Sequence, residues 1–553
     1  MKKFLTLILL SLLINNLNAQ DTITLNPSNP GLTVSPDFTG LSYEMESISV
    51  GFFKSTNATL VQYFRTIGVK VLRMGGNSGD IYQYYPLPNL NQHPVDTILN
   101  NGIDSLFAFA NAVGCKVIFG LNLGTFNPSL SAQEATYIMQ HYSSQLLAFE
   151  IGNEPNLFYL NGLRPANYTY ADFQAEFMQY VDSIKFYNPT APISGATAAR
   201  YHGLAYTIPF SQNMHGVISL LNHHNYGISD TIPNIPQQLV NLLSPAALDT
   251  ELKIVDTLVY CATTHDSVPF RMSECNSMFP YGQWGVGNSF AASLWCLDYM
   301  YSLAKANCTG VNFHTFNGSP STAIHDTLGV YEARPLYYGI LAFQYGKQGR
   351  FLPVQSTDNA LNLNTYSVLD SSGNIYVTLI NKDTLNPVPI MLDAGNINYN
   401  VAAMVSLSAS SVGDTFGVTV AGSPVLANGS WTPGAWTPVN YVNGYFSFTI
   451  PGGTAYILKL NSPLTGVNNI IENQNVVVYP NPASSILTLH SQLSILNSQF
   501  VITDVLGNEI YHQPINNSSE STIDISQLSN GIYFWQAISD KEILARGKIA
   551  VQR

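Results

Sequence analysis

Between about residue 38 and residue 345, short apolar runs alternate with segments whose apolar residues recur at helical spacing. Among the helical segments are Ile103–Val113, Tyr170–Phe186, Leu248–Cys261 and Ser289–Ala306. The predicted strands are Thr39–Glu44, Lys70–Arg73, Lys116–Leu121, Leu147–Gly152, Pro192–Gly195, Gly216–Leu221, Pro269–Glu274 and Gly310–His314. Eight strands alternating with helices predict an α/β fold, the (β/α)8 TIM barrel, although a doubly wound open sheet would give similar alternation.

After Gly349 the pattern changes to short alternating runs, separated by turns rich in Gly, Asn, Pro and Asp. This change predicts a β-sandwich over residues 346–462. Residues 20–37 contain a further candidate strand, Asp21–Asn26, for the same sandwich. Residues 463–475 form a polar linker, and residues 476–553 are predicted to be a small all-β domain.

The first residues have the pattern of a secretory signal. Two lysines precede the apolar run Phe4–Ile14, and a small residue, Ala19, closes the segment. The run is shorter than the ~20 residues that a transmembrane helix needs. We expect a signal peptide over residues 1–19, with an uncleaved anchor as the alternative, and no later transmembrane segment.

Charge and cysteine content exclude several classes of protein. The chain has 22 Lys and Arg residues and 34 Asp and Glu residues, so its net charge is −12. The sequence contains no run of basic residues. The chain is therefore a poor candidate for binding nucleic acid. Its cysteines have no metal-ligand spacing, and Cys115, Cys296 and Cys308 lie in apolar stretches, so we expect buried thiols, with one disulfide left open.

Two carboxylates stand out because charge is scarce. Glu154 follows the apolar run Leu146–Ile151, and Glu274 closes the run Pro269–Met272. By count these residues end the fourth and seventh strands, where barrel enzymes carry their chemistry. Two acids in different environments are what glycoside hydrolysis needs. Burial at an apolar strand end is expected to raise their pKa values.

Several stretches around these acids resemble a known enzyme family. The tripeptide Asn153-Glu154-Pro155 resembles the acid/base motif of clan A barrel glycosidases. Residues 38–345 resemble glycoside hydrolase family 79, which includes β-glucuronidases and heparanases. The matching stretches are Gly40–Glu44, Leu72–Ser78, Phe149–Asn156, Ser273–Ser277 and Phe290–Trp295 leading into Gly310–His314.

The resemblance implies a retaining mechanism through a covalent glycosyl-enzyme. Glu154 would be the general acid and base, and Glu274 would be the nucleophile. Asn153 would bind the sugar 2-hydroxyl group. Retention implies a carboxyl separation of ~5–5.5 Å.

Other strand ends supply candidate sugar ligands. Tyr226 is expected to lie against the nucleophile, and His224 to line the pocket. Glu44 and Asn77 are candidate ligands, each with a structural role as the alternative. Outside this set, His314 is assigned equally to pocket and core, Tyr331 is a distant candidate, and Arg73 and Glu150 are interpreted as structural charges.

The loop after the nucleophile bears on the charge of the substrate. In the family, tyrosine and backbone N–H groups of this loop bind the uronate carboxylate. The loop here, residues 278–285, offers Tyr281, Gly282 and Gln283 but no cation. Such donors can hold a carboxylate or a neutral sugar.

The C-terminal segment carries a second resemblance. Tyr479-Pro480-Asn481-Pro482, the turn Asp504–Gly507 and Gly531-Ile532-Tyr533 resemble the sorting domain of the type IX secretion system of Bacteroidetes. The resemblance implies an export address read by that machinery at the outer membrane. An accessory carbohydrate-binding sandwich is the alternative.

The sequence therefore predicts a secreted, exo-acting, β-glucuronidase-like enzyme without metal or cofactor. The alternatives are a clan A glycosidase for a neutral sugar and a non-catalytic carbohydrate-binding protein. The presence of both acids argues against the last. The aglycone, the linkage and the oligomeric state do not follow from the sequence.

Overall fold

The computed structural model describes residues 21–86, 96–280, 282–316, 318–347, 349–461, 476–491, 498–504, 507–515, 520–539 and 542–553. The chain divides into two compact units, with the boundary between Pro463 and Leu464. The expected signal peptide, the linker at 463–475 and Tyr281 lie outside the described residues.

The first part of the first unit alternates between strands and helices. In chain order the elements are β1 (Asp21–Leu25), β2 (Thr39–Glu44), α1 (Glu46–Ser49), α2 (Ala58–Thr66), β3 (Val71–Gly75), β4 (Gln83–Tyr85), β5 (Thr97–Leu99), α3 (Asn100–Val113), β6 (Lys116–Leu121), α4 (Pro128–Tyr142), β7 (Leu146–Ile151), α5 (Tyr170–Tyr187), β8 (Ile193–Ala199), α6 (Arg200–Asn213), β9 (Leu220–Ser229), α7 (Ile235–Leu242), α8 (Pro245–Cys261), β10 (Phe270–Phe279), α9 (Phe290–Lys305), β11 (Val311–His314), β12 (Ile324–Thr327), β13 (Val330–Ala333) and α10 (Pro335–Gly346).

Eight of these strands close into a barrel. Their order around it is β2, β3, β6, β7, β8, β9, β10 and β11. The last strand pairs in parallel with the first, Phe313 opposite Leu41, so no edge remains open. The barrel predicted from the sequence is confirmed, and the open sheet is excluded. β7 and β10 are the fourth and seventh barrel strands, as the strand count predicted.

Three barrel strands run further toward their carboxyl ends than the sequence pattern indicated. They are β8 (Ile193–Ala199), β9 (Leu220–Ser229) and β10 (Phe270–Phe279). Polar residues interrupt the apolar pattern within each extension, for example Thr197 in β8, Asn222 in β9 and Asn276 in β10. Nevertheless Asn222 and His223 of β9 are fully buried, because Asn222 donates to Glu150 and His223 lies 2.9 Å from the Thr207 hydroxyl group. Polar residues at strand ends can be interior where they satisfy each other's hydrogen bonds.

The second part of the first unit is all-β. Its strands are β14 (Arg350–Phe351), β15 (Val354–Ser356), β16 (Leu363–Leu369), β17 (Ile375–Asn381), β18 (Val388–Asp393), β19 (Ala402–Ser408), β20 (Thr419–Val420), β21 (Thr437–Val439), β22 (Tyr441–Val442), β23 (Tyr445–Ile450) and β24 (Thr454–Leu460). One sheet has the order β15-β1-β18-β23-β22, and the other has the order β14-β16-β17-β24-β19-β20, with β21 on β19.

The two sheets pack face to face as a sandwich. Apolar side chains of β1, β18 and β23 share one buried cluster with those of β17 and β24, including Ile23, Ile390, Val377 and Leu458. The N-terminal strand β1 pairs in parallel with β18, with Ile23 opposite Leu392. The strand Asp21–Leu25 therefore belongs to the sandwich although more than 300 residues of chain separate it from β18.

The sandwich covers α9 of the barrel. This helix is buried on all sides from Phe290 to Ala304, which explains why its sequence is mostly apolar all round. Its one buried acid, Asp298, pairs with Lys382 over 2.7 Å and accepts hydrogen bonds from Asn364 and Tyr366. Lys382 follows β17, so a buried ion pair joins barrel and sandwich.

The second unit is a small two-sheet domain. Its strands are β25 (Val476–Tyr479), β26 (Ile486–Ser491), β27 (Ser498–Thr503), β28 (Glu509–Ile515), β29 (Glu520–Asp524), β30 (Gly531–Ser539) and β31 (Glu542–Val551). One sheet has the order β25-β26-β29 and the other β28-β27-β30-β31. Phe500 and Trp535 stack in its core with ring centres 5.5 Å apart.

The structure also tests the expectations of buried thiols and of no later transmembrane segment. All five cysteines are free and buried, as predicted for Cys115, Cys296 and Cys308, and the disulfide left open is not formed. In the described ranges, no helix combines the length and hydropathy required to cross a membrane.

Candidate active site

The two predicted acids meet at the mouth of the barrel. Glu274 lies within β10, and Glu154 follows the end of β7 in a left-handed conformation with φ of 54°. This backbone, unusual for a residue with a side chain, is held by a hydrogen bond from the Glu154 N–H to the Thr197 carbonyl oxygen. Both carboxylates are largely buried, at 9% and 6% exposure, with one edge open to a cavity.

His224 lies between the two carboxylates. Its Nδ1 is 3.1 Å from Glu154 Oε1 and 4.0 Å from Glu274 Oε2. One oxygen of each carboxylate and this nitrogen all lie within 4.8 Å of one another. The ring is fully buried, and the described residues that line the cavity do not include it. His224 therefore contacts Glu154 and lies close to Glu274 from within the barrel. A role for His224 in the sugar pocket stays a prediction.

Arg73 lies beneath the nucleophile candidate. Its Nη1 donates to Glu274 Oε2 over 2.6 Å, and its Nη2 donates to Asn153 Oδ1 over 2.8 Å. Its Nε donates to Glu150 over 2.8 Å, a contact that Nη2 shares. Glu150 is buried, as an interior acid should be. Arg73 was interpreted as a structural cation, but it contacts the nucleophile candidate directly.

Tyr226 orients the same carboxylate from the neighbouring strand. Its hydroxyl group donates to Glu274 Oε1 over 2.6 Å, and the side chain lines the cavity. The expected contact with the nucleophile candidate is present. The opposite oxygen of Glu274 accepts from Arg73, so the carboxylate has a donor on each side.

The pKa of Glu274 moves opposite to the expectation from burial. Burial raises this pKa, but the charges of His314, His224 and Arg73 and the bond from Tyr226 together lower it well below its usual value. The sequence argument considered only desolvation, because the three cations are remote from Glu274 along the chain. Glu274 is therefore held as a carboxylate, the form that a nucleophile requires.

Glu44 and His314 form the opposite wall. His314 Nε2 lies 3.4 Å from Glu44 Oε1, and its Nδ1 lies 3.7 Å from Glu274 Oε2. Burial lowers the pKa of His314, but Glu274 and Glu44 outweigh it and raise that pKa above its ordinary value. Burial likewise raises the pKa of Glu44, which the bond and charge of His314 and the bonds from Ser78 lower overall. Both residues line the cavity.

Asn153 and Asn77 lie side by side. Asn153 Nδ2 is 3.3 Å from Asn77 Oδ1, and both side chains line the cavity. The N–H of Asn153 donates to Asp80 Oδ2 over 2.7 Å, while Asp80 Oδ1 accepts from the N–H groups of Leu123 and Gly124. Burial raises the pKa of Asp80 to about 6, although these donors oppose the rise. Sequence reasoning missed Asp80, whose signal was an acid after the Gly-Gly-Asn stretch.

The cavity that holds these groups has a volume of about 340 Å³. Its wall also contains residues that sequence reasoning missed. They lie after or at the carboxyl ends of β7, β8 and β10, and they are Leu157, Leu160, Asn161, Arg200, Phe279 and Pro280. A second cavity of about 350 Å³ shares Glu44 and Phe316 with the first. The site is therefore elongated.

The loop after the nucleophile differs from the expectation. Tyr281 lies outside the described residues. Gly282 and Gln283 are not part of the described lining, and Gln283 donates instead to the Pro233 carbonyl oxygen over 3.3 Å. Tyr331 accepts a hydrogen bond from Asn57 and lines a separate cavity, so it does not reach the acids. Pattern and spacing could not show where these loop side chains turn.

The cluster of Glu154, His224 and Glu274 has the spacing of a three-ligand metal site. The sequence predicted all three residues as parts of one site but not their metal-like spacing, because they come from separate positions around the barrel. Arg73 donates to one oxygen of Glu274 and Tyr226 to the other, and the guanidinium charge beside this carboxylate opposes the binding of a second cation. The donor set therefore fits proton and sugar chemistry better than metal binding.

Comparison with known families and proteins bears on both units. Residues 477–552 match the secretion system C-terminal sorting domain. A β-glucuronidase of Aspergillus niger is 23% identical over 463 residues, which cover 75% of this chain and 82% of that protein. A bovine heparanase is 25% identical over 259 residues, 45% of this chain and 46% of the heparanase.

Solved structures agree on the fold. A 4-O-α-L-rhamnosyl-β-D-glucuronidase of Fusarium oxysporum superposes with a TM-score of 0.65 at 20% identity, covering 79% of this chain and all 100% of that one. An arabinofuranosidase of Xanthomonas axonopodis superposes with a TM-score of 0.61 at 15% identity, covering 80% of this chain and 100% of that one. The comparisons therefore confirm the resemblance: this chain has the fold of clan A glycoside hydrolases, has a β-glucuronidase and heparanases among its relatives, and carries a type IX secretion sorting domain.

Proposed function

We propose that this protein is a secreted retaining glycoside hydrolase that acts as an exo-β-glucuronidase. The observation that carries the proposal is the short separation between Glu154 and Glu274, whose nearest ligand oxygens lie within 4.8 Å across one cavity. Inverting enzymes need ~6.5–9.5 Å between their carboxyl groups to admit a water molecule, whereas retaining enzymes need ~5–5.5 Å.

In the first step Glu274 attacks the anomeric carbon, and the bond to the leaving oxygen breaks. Glu154 donates its proton to that oxygen, so the leaving group departs as an alcohol. Arg73 and Tyr226 hold the Glu274 carboxylate, with one donor on each oxygen. They aim the carboxylate at a fixed position before substrate arrives, which lowers the cost of reaching the transition state.

In the second step water attacks the anomeric carbon of the glycosyl-enzyme, and Glu154 accepts its proton. The product keeps the configuration of the substrate, and Glu274 is released as a carboxylate. His224 Nδ1, 3.1 Å from Glu154 Oε1, is placed to bond that group in both protonation states. Asn153 faces the cavity beside the two acids, where we assign it to the sugar 2-hydroxyl group.

Relatedness supports the uronate preference. The Aspergillus niger relative, which aligns over 75% of this chain, is a β-glucuronidase. The matched test is hydrolysis of 4-nitrophenyl β-glucuronide against the corresponding β-glucoside, β-xyloside and α-arabinofuranoside. A higher kcat/KM on the glucuronide supports the assignment. A higher value on any neutral glycoside would replace it with the neutral-sugar function.

The second cavity favours a second candidate. Because it shares Glu44 and Phe316 with the first, a substituted or internal sugar could extend from one cavity into the other. Product sizing on oligosaccharides distinguishes the two modes. Release of single sugars supports exo action, whereas disaccharides or longer products from the start would favour the extended mode.

The roles of the two acids can be separated by external nucleophiles. With an activated aryl glycoside, Glu274→Gly is expected to be inactive until azide is added, and then to give the α-glycosyl azide. Glu154→Gly should instead give the β-glycosyl azide, because azide then attacks the glycosyl-enzyme. Asp256→Ala, an exposed acid of α8, is the control. Full activity of Glu274→Gly without azide would exclude the nucleophile assignment, whereas absence of turnover in the wild type would favour a carbohydrate-binding role.

A further inference from the structure

Arg200 brings a cation into the cavity that holds the two acids. It lies directly after the fifth barrel strand and lines the cavity together with Glu154 and Glu274. Its guanidinium carbon lies 3.7 Å from the centre of the Phe279 ring. This is a close cation–π contact, which holds the charged group in place while leaving its N–H donors free.

The other charged groups at the cavity are already paired. Glu274 is bound by Arg73, Glu154 lies against His224, and Glu44 lies against His314. Within the residues that the structure describes, no carboxylate lies within 4.0 Å of the Arg200 guanidinium group. An arginine that lines a cavity with its donors unpaired is suited to a carboxylate or sulfate of a ligand.

The backbone of Arg200 is fixed from two sides. The Asn156 side chain accepts from the Ala199 N–H over 2.8 Å and donates back to the Ala199 carbonyl oxygen over 3.2 Å. His223 Nε2 lies 3.1 Å from the Arg200 carbonyl oxygen. Arg200 has a left-handed backbone with φ of 61°, a strained conformation that these contacts maintain. Asn156 belongs to the loop of Glu154, so the cation and the acid are positioned together.

The position of Arg200 identifies the part of the substrate it meets. β8 stands between β7, which leads to Glu154, and β9, which carries Tyr226. Glu44 and His314 lie on the far side, on β2 and β11. Because the general acid protonates the leaving oxygen, the leaving group lies on the Glu154 side of the cavity. Arg200 therefore faces the leaving group.

We propose that Arg200 binds an anionic substituent, a carboxylate or a sulfate, on the leaving group of the substrate. This inference rests on the proposed glycosidase function and narrows its substrate to glycosides of acidic aglycones, such as acidic oligosaccharides. This role is separate from recognition of a uronate carboxylate, for which the loop after the nucleophile offers no cation. The cation for the leaving group is Arg200, directly after the fifth barrel strand.

The test uses leaving groups of matched shape. The substrates are 3-carboxyphenyl, 3-sulfophenyl and 3-carbamoylphenyl glycosides, each made as β-glucuronide and as β-glucoside. The measured quantity is the ratio of kcat/KM for an anionic leaving group to that for the neutral amide. Intrinsic differences among the phenols cancel when this ratio is compared between the wild type and Arg200→Gln.

The ratio is expected to fall about tenfold in Arg200→Gln, the loss of roughly one charge-assisted hydrogen bond. Arg200→Lys, which keeps the charge but not the planar fork, should retain part of it. Lys253→Gln, an exposed cation of α8, is the matched control. The 3-carboxyphenyl and 3-sulfophenyl arms show which anion is preferred. An unchanged ratio in Arg200→Gln would overturn the proposal, as would a loss that follows the glucuronide rather than the leaving group.

The experiment separates this inference from the proposed function. Turnover of the amide glycosides establishes the glycosidase independently of Arg200. If no glycoside is hydrolysed, the proposed function fails, and titration calorimetry with the same compounds then tests Arg200 by binding. Selective loss of affinity for the anionic compounds in Arg200→Gln supports the inference, and equal affinities in wild type and variant refute it.

Discussion

Arg73, on the second barrel strand, donates a hydrogen bond over 2.6 Å to Glu274 on the seventh. The same guanidinium group binds Glu150 and Asn153, so one buried cation joins the second, fourth and seventh strands. The contact has two consequences. It helps to lower the pKa of Glu274, and it neutralises carboxylates that would otherwise be buried without a partner.

Replacement of Arg73 should impair both activity and stability. Arg73→Lys retains a charge but cannot bind three partners in one plane, so kcat/KM is expected to fall about 100-fold. Arg73→Ala should lower the free energy of unfolding by about 3–5 kcal/mol, since Glu150 remains buried and unpaired. Urea unfolding and kinetics measure the two effects. The control is Arg350→Lys, at an exposed arginine that binds the backbone of Pro30 and Gly31. Wild-type activity in Arg73→Lys would contradict the role of Arg73 in holding Glu274.

Removal of the Tyr226 hydroxyl group should change the pH dependence of the reaction. This hydroxyl lowers the pKa of Glu274, so its loss in Tyr226→Phe raises that pKa. The acid limb of the kcat/KM profile should therefore move to higher pH, and kcat should fall about tenfold or more. Tyr456→Phe in the sandwich is the control. An acid limb that stays in place would show that Glu274 does not govern it.

Because Glu134 of α4 is buried, the free energy of unfolding is expected to decrease as pH rises. Burial alone raises its pKa from 4.5 to about 8. Below the pKa of the unfolded state, Glu134 is protonated in both states and does not change the free energy of unfolding with pH. As the pH rises toward 8, the folded state keeps a proton that the unfolded state has released, so the free energy of unfolding decreases. Glu134→Gln should therefore unfold like wild type at pH 4 and be more stable at pH 8. Urea titrations at both pH values measure the free energy of unfolding. The control, Glu332→Gln at an exposed acid, should show no such difference, and equal stability of Glu134→Gln and wild type at pH 8 would contradict the prediction.

A single substitution in the buried pair Asp298–Lys382 should destabilise the protein. Each side chain is 3% exposed, and the two lie 2.7 Å apart. Asp298→Ala leaves a buried ammonium group unpaired and is expected to cost about 3–5 kcal/mol of unfolding free energy. The double variant Asp298→Leu with Lys382→Met should recover much of this loss. Additive losses in the double variant would show that the pair acts through packing alone.

Deletion of residues 476–553 tests the role of the sorting domain. The deleted protein should hydrolyse the same aryl glycosides at wild-type rates, because both acids belong to the other unit. It should accumulate in the periplasm instead of reaching the cell surface or the medium. Fractionation with activity assays measures both. Normal export of the deleted protein would contradict the sorting role, and loss of activity would indicate a contribution to the barrel.

The pattern of the sequence located several features because each depends on local regularity. Alternation of strands and helices predicted the barrel and the numbering of its strands, and the change after Gly349 predicted the sandwich. The run before Glu154 and the run around Glu274 marked both acids. A local motif was enough here, because an apolar strand that ends in an acid is conspicuous in a chain with few charges.

Contacts between distant segments needed the tertiary structure. His224, Arg73 and His314 surround Glu274 only because their strands close into a barrel, and their charges reverse the pKa shift that burial would cause. Arg200 reaches the cavity through a left-handed turn that no propensity predicted. The sequence by itself determined the architecture, the two acids and the sorting domain, since periodicity and short motifs encode them. Only the tertiary structure decided the direction of the pKa shift of Glu274 and the position of Arg200 at the cavity, because electrostatic energy depends on distances in space and not on separation along the chain.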